Sequence, residues 1–435
     1  DPMYTFTGRE IEKLDETHYR IDRATFTTCD TDGRPPWSFY VRKAKVEQEG
    51  LGHFTSTAMK VRGVPVFYIP YMVWPVKQER AAGLLFPRFG YSNTRGFNFG
   101  LPLFIPIGRS YDTTIFADYY AKGFFGLGNN WRWAPVKGAR GDFNIYAIWD
   151  RDNEETQWKI FGRHDQEDFL GFKLLAQVEN MSDIDFWQEF DRSFAANTRR
   201  DLFSFIFLTR SFGPYSLNLR ADRRETFLTT ADVILTQLPE VEIRSGSTAI
   251  AGSQIYMNVL ASLNYFDVVR DFEDENIPDI VGDYARADIF PQFSYTLPGP
   301  PWLSVTPRVG GRFTYYTDQY TEVGREFAGE PINRIYATGA VDIVGPSFSK
   351  VFEGGIGAYS KIKHLIEPRF EYRYLTTTTD TSRIPVFDEV DSTPQDANLV
   401  NFVLANRLLG RARDGVGTRE LGSLELIQAY SFDAP

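Results

Sequence analysis

The sequence predicts an all-β protein: a small antiparallel β-domain over residues 1 to 80, then a large antiparallel β-barrel of the membrane-spanning type over residues 81 to 435. Three observations carry this. From about residue 140 the dominant period is two, and helical periodicity is nearly absent. The two faces of each strand also differ, one being aliphatic and aromatic, the other polar and often charged. With 16% aromatic residues over 435 positions, disorder is excluded.

The first strands are short and separated by turns: "YTFTGREIEKL", "HYRIDRATFTTCD", "WSFYVRKAKVEQE" and "HFTSTAMKVRGVPVFYIPY", with "DTDGRPP" as a turn between the second and third. They predict a small domain with an apolar interior and lysine or arginine outside, ending near "PVKQERAAG". Strand-forming residues then continue, but prolines stand at 65, 70, 75, 87, 102 and 106, and proline cannot donate to a β-ladder. Pro65, Pro70 and Pro75 read as an extended linker between domains, whereas Pro87 and Pro102 lie inside strand-like runs.

Farther on, Phe143, Ile145, Ala147 and Trp149 share a face, and Tyr215, Leu217, Leu219 and Ala221 alternate with Ser216, Asn218, Arg220 and Asp222. Leu303, Val305, Val309, Phe313 and Tyr315 stand against Ser304, Thr306, Arg308, Arg312 and Thr314. Ile366, Phe370, Tyr372 and Tyr374 oppose Glu367, Arg369, Glu371 and Arg373. Longer acidic loops such as "RDFEDENIPDIVGD" and "TTTTDTSRIPVFDEVDSTPQDAN" separate some strands. A soluble sandwich also alternates, but this many strands would divide into repeated domains of about 100 residues, and no such repeat is visible. Charged residues opposite an aromatic face fit lipid outside and water inside. At roughly 20 residues per strand and turn, residues 82 to 435 supply about 16 to 18 strands.

The longest apolar run, residues 64 to 76, is broken by three prolines and falls short of the roughly 20 residues of a membrane-spanning helix. Residues 1 to 20 show no secretory signal, as expected of a cytosolic protein or of a mature or trimmed chain. A net charge of -10 without a basic patch argues against a nucleic-acid partner. The four histidines lack zinc-ligand spacing, no nucleophile elbow or phosphate loop is present, and no cofactor or metal is expected. His364 with Glu367 reads as structural or as facing the barrel interior, and "DRDNEE" as a solvated hairpin loop without the glycine of a calcium loop. Cys29, the single cysteine, reads as a small buried apolar residue, or in an exported protein as half of a pair.

"RATFTTCD", "PPWSFYVRKAKV", "VRGVPVFYIPYMVWPV", "ERAAGLLFPRFGYS", "QLPEVEI" and "KHLIEPRFEYRYL" together resemble the LptD family of outer-membrane lipopolysaccharide-assembly proteins, from about residue 4 to 435. The resemblance implies that residues 1 to 80 are the C-terminal part of a periplasmic β-jellyroll and residues 81 to 435 the N-terminal two-thirds of an outer-membrane barrel. It implies a translocon, not an enzyme. Lipopolysaccharide would be received on the jellyroll and inserted into the outer leaflet through a lateral gate.

Expected partners are an LptE-like lipoprotein plug, an LptA-like periplasmic bridge, and the barrel-assembly machinery during insertion. Pro87 and Pro102 match the first two barrel strands, where the family's seam opens. Phe26, Trp37, Phe39, Met59, Val61 and Phe67 are candidates for the acyl-chain groove, and equally for ordinary core. The cysteine at Cys29 matches one that the family pairs with the end of the barrel, a segment not in this sequence. With net negative charge, capture of an anionic glycolipid would rest on apolar burial, about 0.8 kcal/mol per methylene. A porin-like channel and an outer-membrane lipase are the competing functions, but no serine, histidine and polar trio can be assigned for the latter.

Overall fold

The computed structural model describes residues 5–27, 29, 35–48, 50–75, 80, 82–93, 95–151, 154–183, 186, 199–228, 230–272, 274, 277, 279–321, 326–377, 381–392, 396–413 and 417–432. The chain forms two compact units, residues 1–159 and 160–435. Among the described residues the structure is an ordered series of twenty-five β-strands.

The first unit opens with a five-stranded antiparallel sheet in sequential order: β1 (Thr5–Lys13), β2 (His18–Thr27), β3 (Trp37–Glu47), β4 (Leu51–Val61) and β5 (Val64–Pro75). Ile21, Ala24, Val41 and Ala44 form its buried core, with Tyr19, Val46 and Phe54 packed around them. Ile21 and Ala24 are three residues apart, as are Val41 and Ala44, yet share one face, so the alternation of a flat strand is interrupted between them. The interruption sits where Arg23 takes a positive φ of 54° and, two strands away, Ser56 does the same at 54°. The sequence expected Pro65, Pro70 and Pro75 in an extended linker; the structure puts all three inside β5, which pairs with β4 along its length. The outer edge of a sheet tolerates missing donors. Only part of the expected boundary segment, residues 75 to 85, lies among the described residues.

The same unit continues with β6 (Gly83–Leu84), β7 (Arg88–Ser92), β8 (Gly96–Pro106), β9 (Tyr111–Tyr120), β10 (Phe124–Trp133) and β11 (Ala139–Asp150). Strands β6 and β7 both pair with β8, then β8 with β9, β9 with β10 and β10 with β11. Strand β12 (Glu155–Phe169) carries the chain from the first unit into the second.

The second unit is a meander of long strands: β13 (Phe172–Met181), β14 (Asp201–Phe212), β15 (Tyr215–Phe227), β16 (Ala231–Ser245), β17 (Thr248–Ala249), β18 (Ile255–Phe272) and β19 (Ile280–Tyr295). It goes on through β20 (Ser304–Tyr316), β21 (Ile332–Val344), β22 (Phe348–Phe352), β23 (Tyr359–Thr377), β24 (Ala397–Ala412) and β25 (Thr418–Ser431). Three broken strands, β6 with β7, β16 with β17 and β21 with β22, each share one partner. Counting each once gives seventeen strand positions from β6 onward, within the expected range. In the second unit the longest connections, residues 182–200, 317–331 and 378–396, fall at one end of the strands, and the two-residue turns 170–171 and 213–214 at the other. That asymmetry is the habit of outer-membrane barrels, with short inner turns and long outer loops.

The polarity of these strands is inverted relative to a soluble protein. Leu263, Val281, Ile289, Val309, Phe313 and Ile335 are exposed, while Asn264, Arg286, Asp288, Arg312, Thr314 and Arg334 on the opposite face are buried. Val309 and Phe313 against Arg312 and Thr314 is the alternation read in the sequence.

Candidate functional site

Strand register decides which apolar residues of the N-terminal sheet can act together. Phe26 pairs with Phe39, Phe39 with Met59 and Met59 with Phe67, so one rung of large apolar side chains crosses β2 to β5. Trp37 pairs with Val61 two residues along, on the same face. Trp37 makes edge contacts with Phe26 at 6.3 Å and with Phe39 at 5.8 Å between ring centres. All six groove candidates therefore form one patch. Its outer end is open, with Val61 and Phe67 41% and 42% exposed, unlike the core of Ile21, Ala24, Val41 and Ala44 along the same face. Phe67 meets Phe86 in a tilted ring contact, 6.2 Å between centres, which extends the patch to the residues between β6 and β7. Sequence reading missed Phe86; its position next to Pro87 in "LLFPRF" was the available signal.

Pro87 and Pro102 lie on opposite arms of the first hairpin. The register runs Gly83 to Phe104 and Leu84 to Leu103, but resumes as Arg88 to Gly100, so the β6–β7 arm holds one extra residue at the break that contains Pro87. Leu85 N donates to Pro102 O at 2.8 Å. In an antiparallel ladder such a pair exchanges two bonds, and Pro102 has no N–H to return to the Leu85 carbonyl. The lost bond thus falls inside the first hairpin.

Side chains hold that hairpin instead. Arg88 Nη2 of β7 donates to both carboxylate oxygens of Asp118 in β9, at 3.1 and 3.2 Å, passing over β8 at Gly100. A Cβ at Gly100 would collide with the Asp118 carboxylate. Tyr146 of β11 donates to the same carboxylate at 2.5 Å across Gly126, where a Cβ would strike the Tyr146 hydroxyl. Asp118 therefore ties β7 to β11 through positions that must lack side chains. Neither glycine was singled out by sequence reading, because the need for it appears only when the strands are side by side.

In the second unit the β23–β24 connection, read in the sequence as a plain acidic loop, folds onto the polar face of β18 to β21. Fully buried Arg286 donates to Asp388 at 2.7 and 2.8 Å and to Asp391 at 2.7 Å. Tyr316 donates to Asp391 at 2.9 Å, and Arg334 to the Val390 carbonyl at 2.5 Å. Ile384 and Phe387 pack with Phe266, Val268, Tyr284 and Tyr316, with 4.1 Å between the rings of Phe266 and Phe387. Burial alone would raise the Asp388 pKa, but hydrogen bonds and charge from Arg286 hold it below its ordinary value.

The remaining candidates stand apart. His364 contacts Asn406 at 3.2 Å, while Glu367 faces Arg407 at 3.7 Å and Arg369 at 4.0 Å on the other side of the strand. Cys29 is a free, half-buried thiol. Residues 152 and 153 of the "DRDNEE" loop lie outside the described residues. Among the described residues no three of His, Cys, Asp and Glu are grouped to hold a metal ion.

Comparison with known proteins completes the picture. The chain is 26% identical over 436 residues to the LPS-assembly protein LptD of Ralstonia nicotianae, covering 95% of this chain and 50% of that protein. It is 26% identical over 396 residues to the LPS-assembly protein LptD of Xanthomonas euvesicatoria, covering 85% and 48%. The chain thus spans about half the length of the relatives it matches. Among solved structures, an in-vitro folded OmpT of Vibrio cholerae covers 73% of the chain at 10% identity, with a TM-score of 0.26, too slight a likeness to bear on the assignment. A sequence profile described as LptD protein matches residues 54–250, and one described as LPS transport system D matches residues 155–410, more than half of the chain. Strands with lipid-type outer faces, the first hairpin and the preceding small sheet thus fall into one scheme: this outer-membrane chain belongs to the LPS transport system D family.

Proposed function

We propose that the chain is the receiving and inserting part of a lipopolysaccharide translocon. Residues 1 to 80 act in the periplasm as the end of a β-jellyroll, and the boundary to the barrel lies within residues 75 to 85. Acyl chains travel on Phe26, Trp37, Phe39, Met59, Val61 and Phe67, sugars pass along the polar face of the barrel strands, and the lipid leaves sideways where the first hairpin loosens at Pro87 and Pro102. The protein has no chemistry of its own; an LptA-like bridge delivers cargo, an LptE-like lipoprotein plugs the barrel, and the barrel-assembly machinery inserts it. Cys29 forms a disulfide with a partner toward the barrel terminus.

The observation that carries this reading is the continuity of one apolar patch from the Phe26–Phe39–Met59–Phe67 rung to Phe86, next to the break in the first strand. A buried core would be sealed at both ends. Here each methylene laid on the patch gains about 0.8 kcal/mol, so a lipid with several acyl chains is captured without need of charge. Photo-crosslinking residues at positions 39, 59 and 67, in cells with active transport, should capture lipopolysaccharide, and position 60 should not. Capture at 60 alone would turn the groove to the other face.

A further inference from the structure

Across the N-terminal sheet runs a second row, set by the same register. Gly8 pairs with Ala24 and Glu10 with Asp22, which puts Arg9 opposite Arg23. The pairs Asp22–Lys43 and Ala24–Val41 put Arg23 opposite Arg42, and Val41–Thr57 with Lys43–Thr55 puts Arg42 opposite Ser56. Three arginines on three neighbouring strands, about 4.8 Å apart from strand to strand, thus stand in line.

Their side chains leave by the face opposite the core. Ile21 with Ala24, and Val41 with Ala44, are buried together, so the intervening Arg23 and Arg42 point away from them, and both are exposed. A Cβ at Gly8 would touch Ile21 and Ile11, which puts exposed Arg9 on the same outward face. Ser56 closes the row: its hydroxyl accepts from Tyr68 at 3.2 Å, and Tyr68 lies between Phe67 and Ile69 on the side away from the groove.

Like charges directly opposite on adjacent strands repel. The acidic residues of the next rung, Glu10 and Asp22, form no ion pair with Arg9, Arg23 or Arg42, although Arg20 pairs with Glu12 at 3.0 Å nearby. Three guanidiniums with five donors each, and no anion among the described residues to satisfy them, match the geometry of a tetrahedral oxyanion.

We infer that Arg9, Arg23 and Arg42, with Ser56 at the end of the row, form a docking site for the phosphate of a lipid headgroup on the polar face of the sheet. This rests on the reading of the opposite face as an acyl-chain track. A phosphorylated glycolipid straddling the sheet edge would then be held by its chains on one face and its phosphate on the other. The chain's net charge of -10 does not oppose this, because the positive charge is local.

The test uses the full chain in neutral detergent, with fluorescent bisphosphorylated lipid A and its dephosphorylated counterpart as probes. The phosphorylated probe should bind the parent more tightly, and the preference should fade with salt. The double variant R23Q/R42Q should weaken its binding at least about 10-fold, the loss of one to two charge-assisted bonds, and leave the dephosphorylated probe unchanged. R23K/R42K, which keeps the charge, should retain most of the preference and controls for misfolding. Vesicles containing phosphatidylglycerol identify the source: binding to them that is lost in R23Q/R42Q, without any effect on lipid A, supports the site and assigns its phosphate to the bilayer. The site is overturned if R23Q/R42Q binds both the phosphorylated lipid A and the phosphatidylglycerol vesicles as the parent does. F39D separates this from the reading on which it rests: if F39D leaves the dephosphorylated probe bound as before, the acyl track fails while the arginine row stands.

Discussion

Replacing Pro102 with alanine should tighten the first hairpin. The Leu85 N–H already reaches Pro102 O at 2.8 Å, so an alanine N–H at position 102 would point back at the Leu85 carbonyl with the partner in place. A protein hydrogen bond contributes about 0.5 to 1.5 kcal/mol net in water, and more where lipid offers no substitute. Taking about 1 to 2 kcal/mol, the loosened population of the hairpin falls about 5- to 30-fold. Proline also stiffens the unfolded chain, so its removal lowers overall stability by about 0.4 to 1 kcal/mol. That term acts on unfolding and is common to the open and closed forms of a folded barrel. Pro87 sits in the break with the extra residue, where the register offers no defined acceptor, so P87A should add less. In cells, P102A in the full-length protein should reach normal levels yet export lipopolysaccharide more slowly, and sensitivity to bulky antibiotics should rise. Amide exchange at position 85 and its neighbours should slow in parallel. Normal transport at normal protein levels, with slowed exchange, would refute the link between this bond and the gate.

The opposite change is expected at Arg88: R88A removes the tie from β7 to Asp118, worth about 0.5 to 1 kcal/mol because the guanidinium is 55% exposed. Faster exchange in residues 83–92 and a leakier membrane should follow, and R88A should partly reverse P102A. R286A leaves buried Asp391 without its counter-ion and should destabilise the β23–β24 loop by about 3 to 5 kcal/mol, read as early protease cleavage within residues 381–391 and a lowered melting temperature. The same loop should respond to acid. Asp388 has a folded pKa below its unfolded one, so its contribution is complete above the ordinary carboxylate value and is lost as pH falls through the depressed one. Protection of the loop amides, taken relative to their intrinsic exchange rate at each pH, should therefore be flat from pH 7 to 5 and fall only in stronger acid; a fall near neutrality would contradict it.

The strand faces were legible in the sequence because lipid and water sort residues at a period of two. Val309, Arg312, Phe313 and Thr314 lie where that rule puts them. The shared apolar face of Phe39 and Met59 was also legible, from their place among strand-forming residues. The line through Arg9, Arg23, Arg42 and Ser56 was not. It depends on positive φ at Arg23 and Ser56, and neither residue type announces that conformation. The Asp118 tie and the direction of the missing Pro102 donor required the register, which joins residues 17 to 30 positions apart. The folded loop was harder still. "TSRIPVFDEVD" carries ordinary loop punctuation, and its partner Arg286 lies 102 residues earlier than Asp388.

That separation has a consequence for how the protein enters the membrane. Arg286 and Arg334 are made well before the loop that carries Asp388, Val390 and Asp391. Strands threaded singly into lipid in order of synthesis would hold buried Arg286 for the time needed to make about a hundred more residues, with its counter-ions still absent. Strands β18 to β24 must therefore keep their charged face wet until the loop closes on it, which makes them a unit of assembly: insertion as a curved sheet with its water, and never one strand at a time.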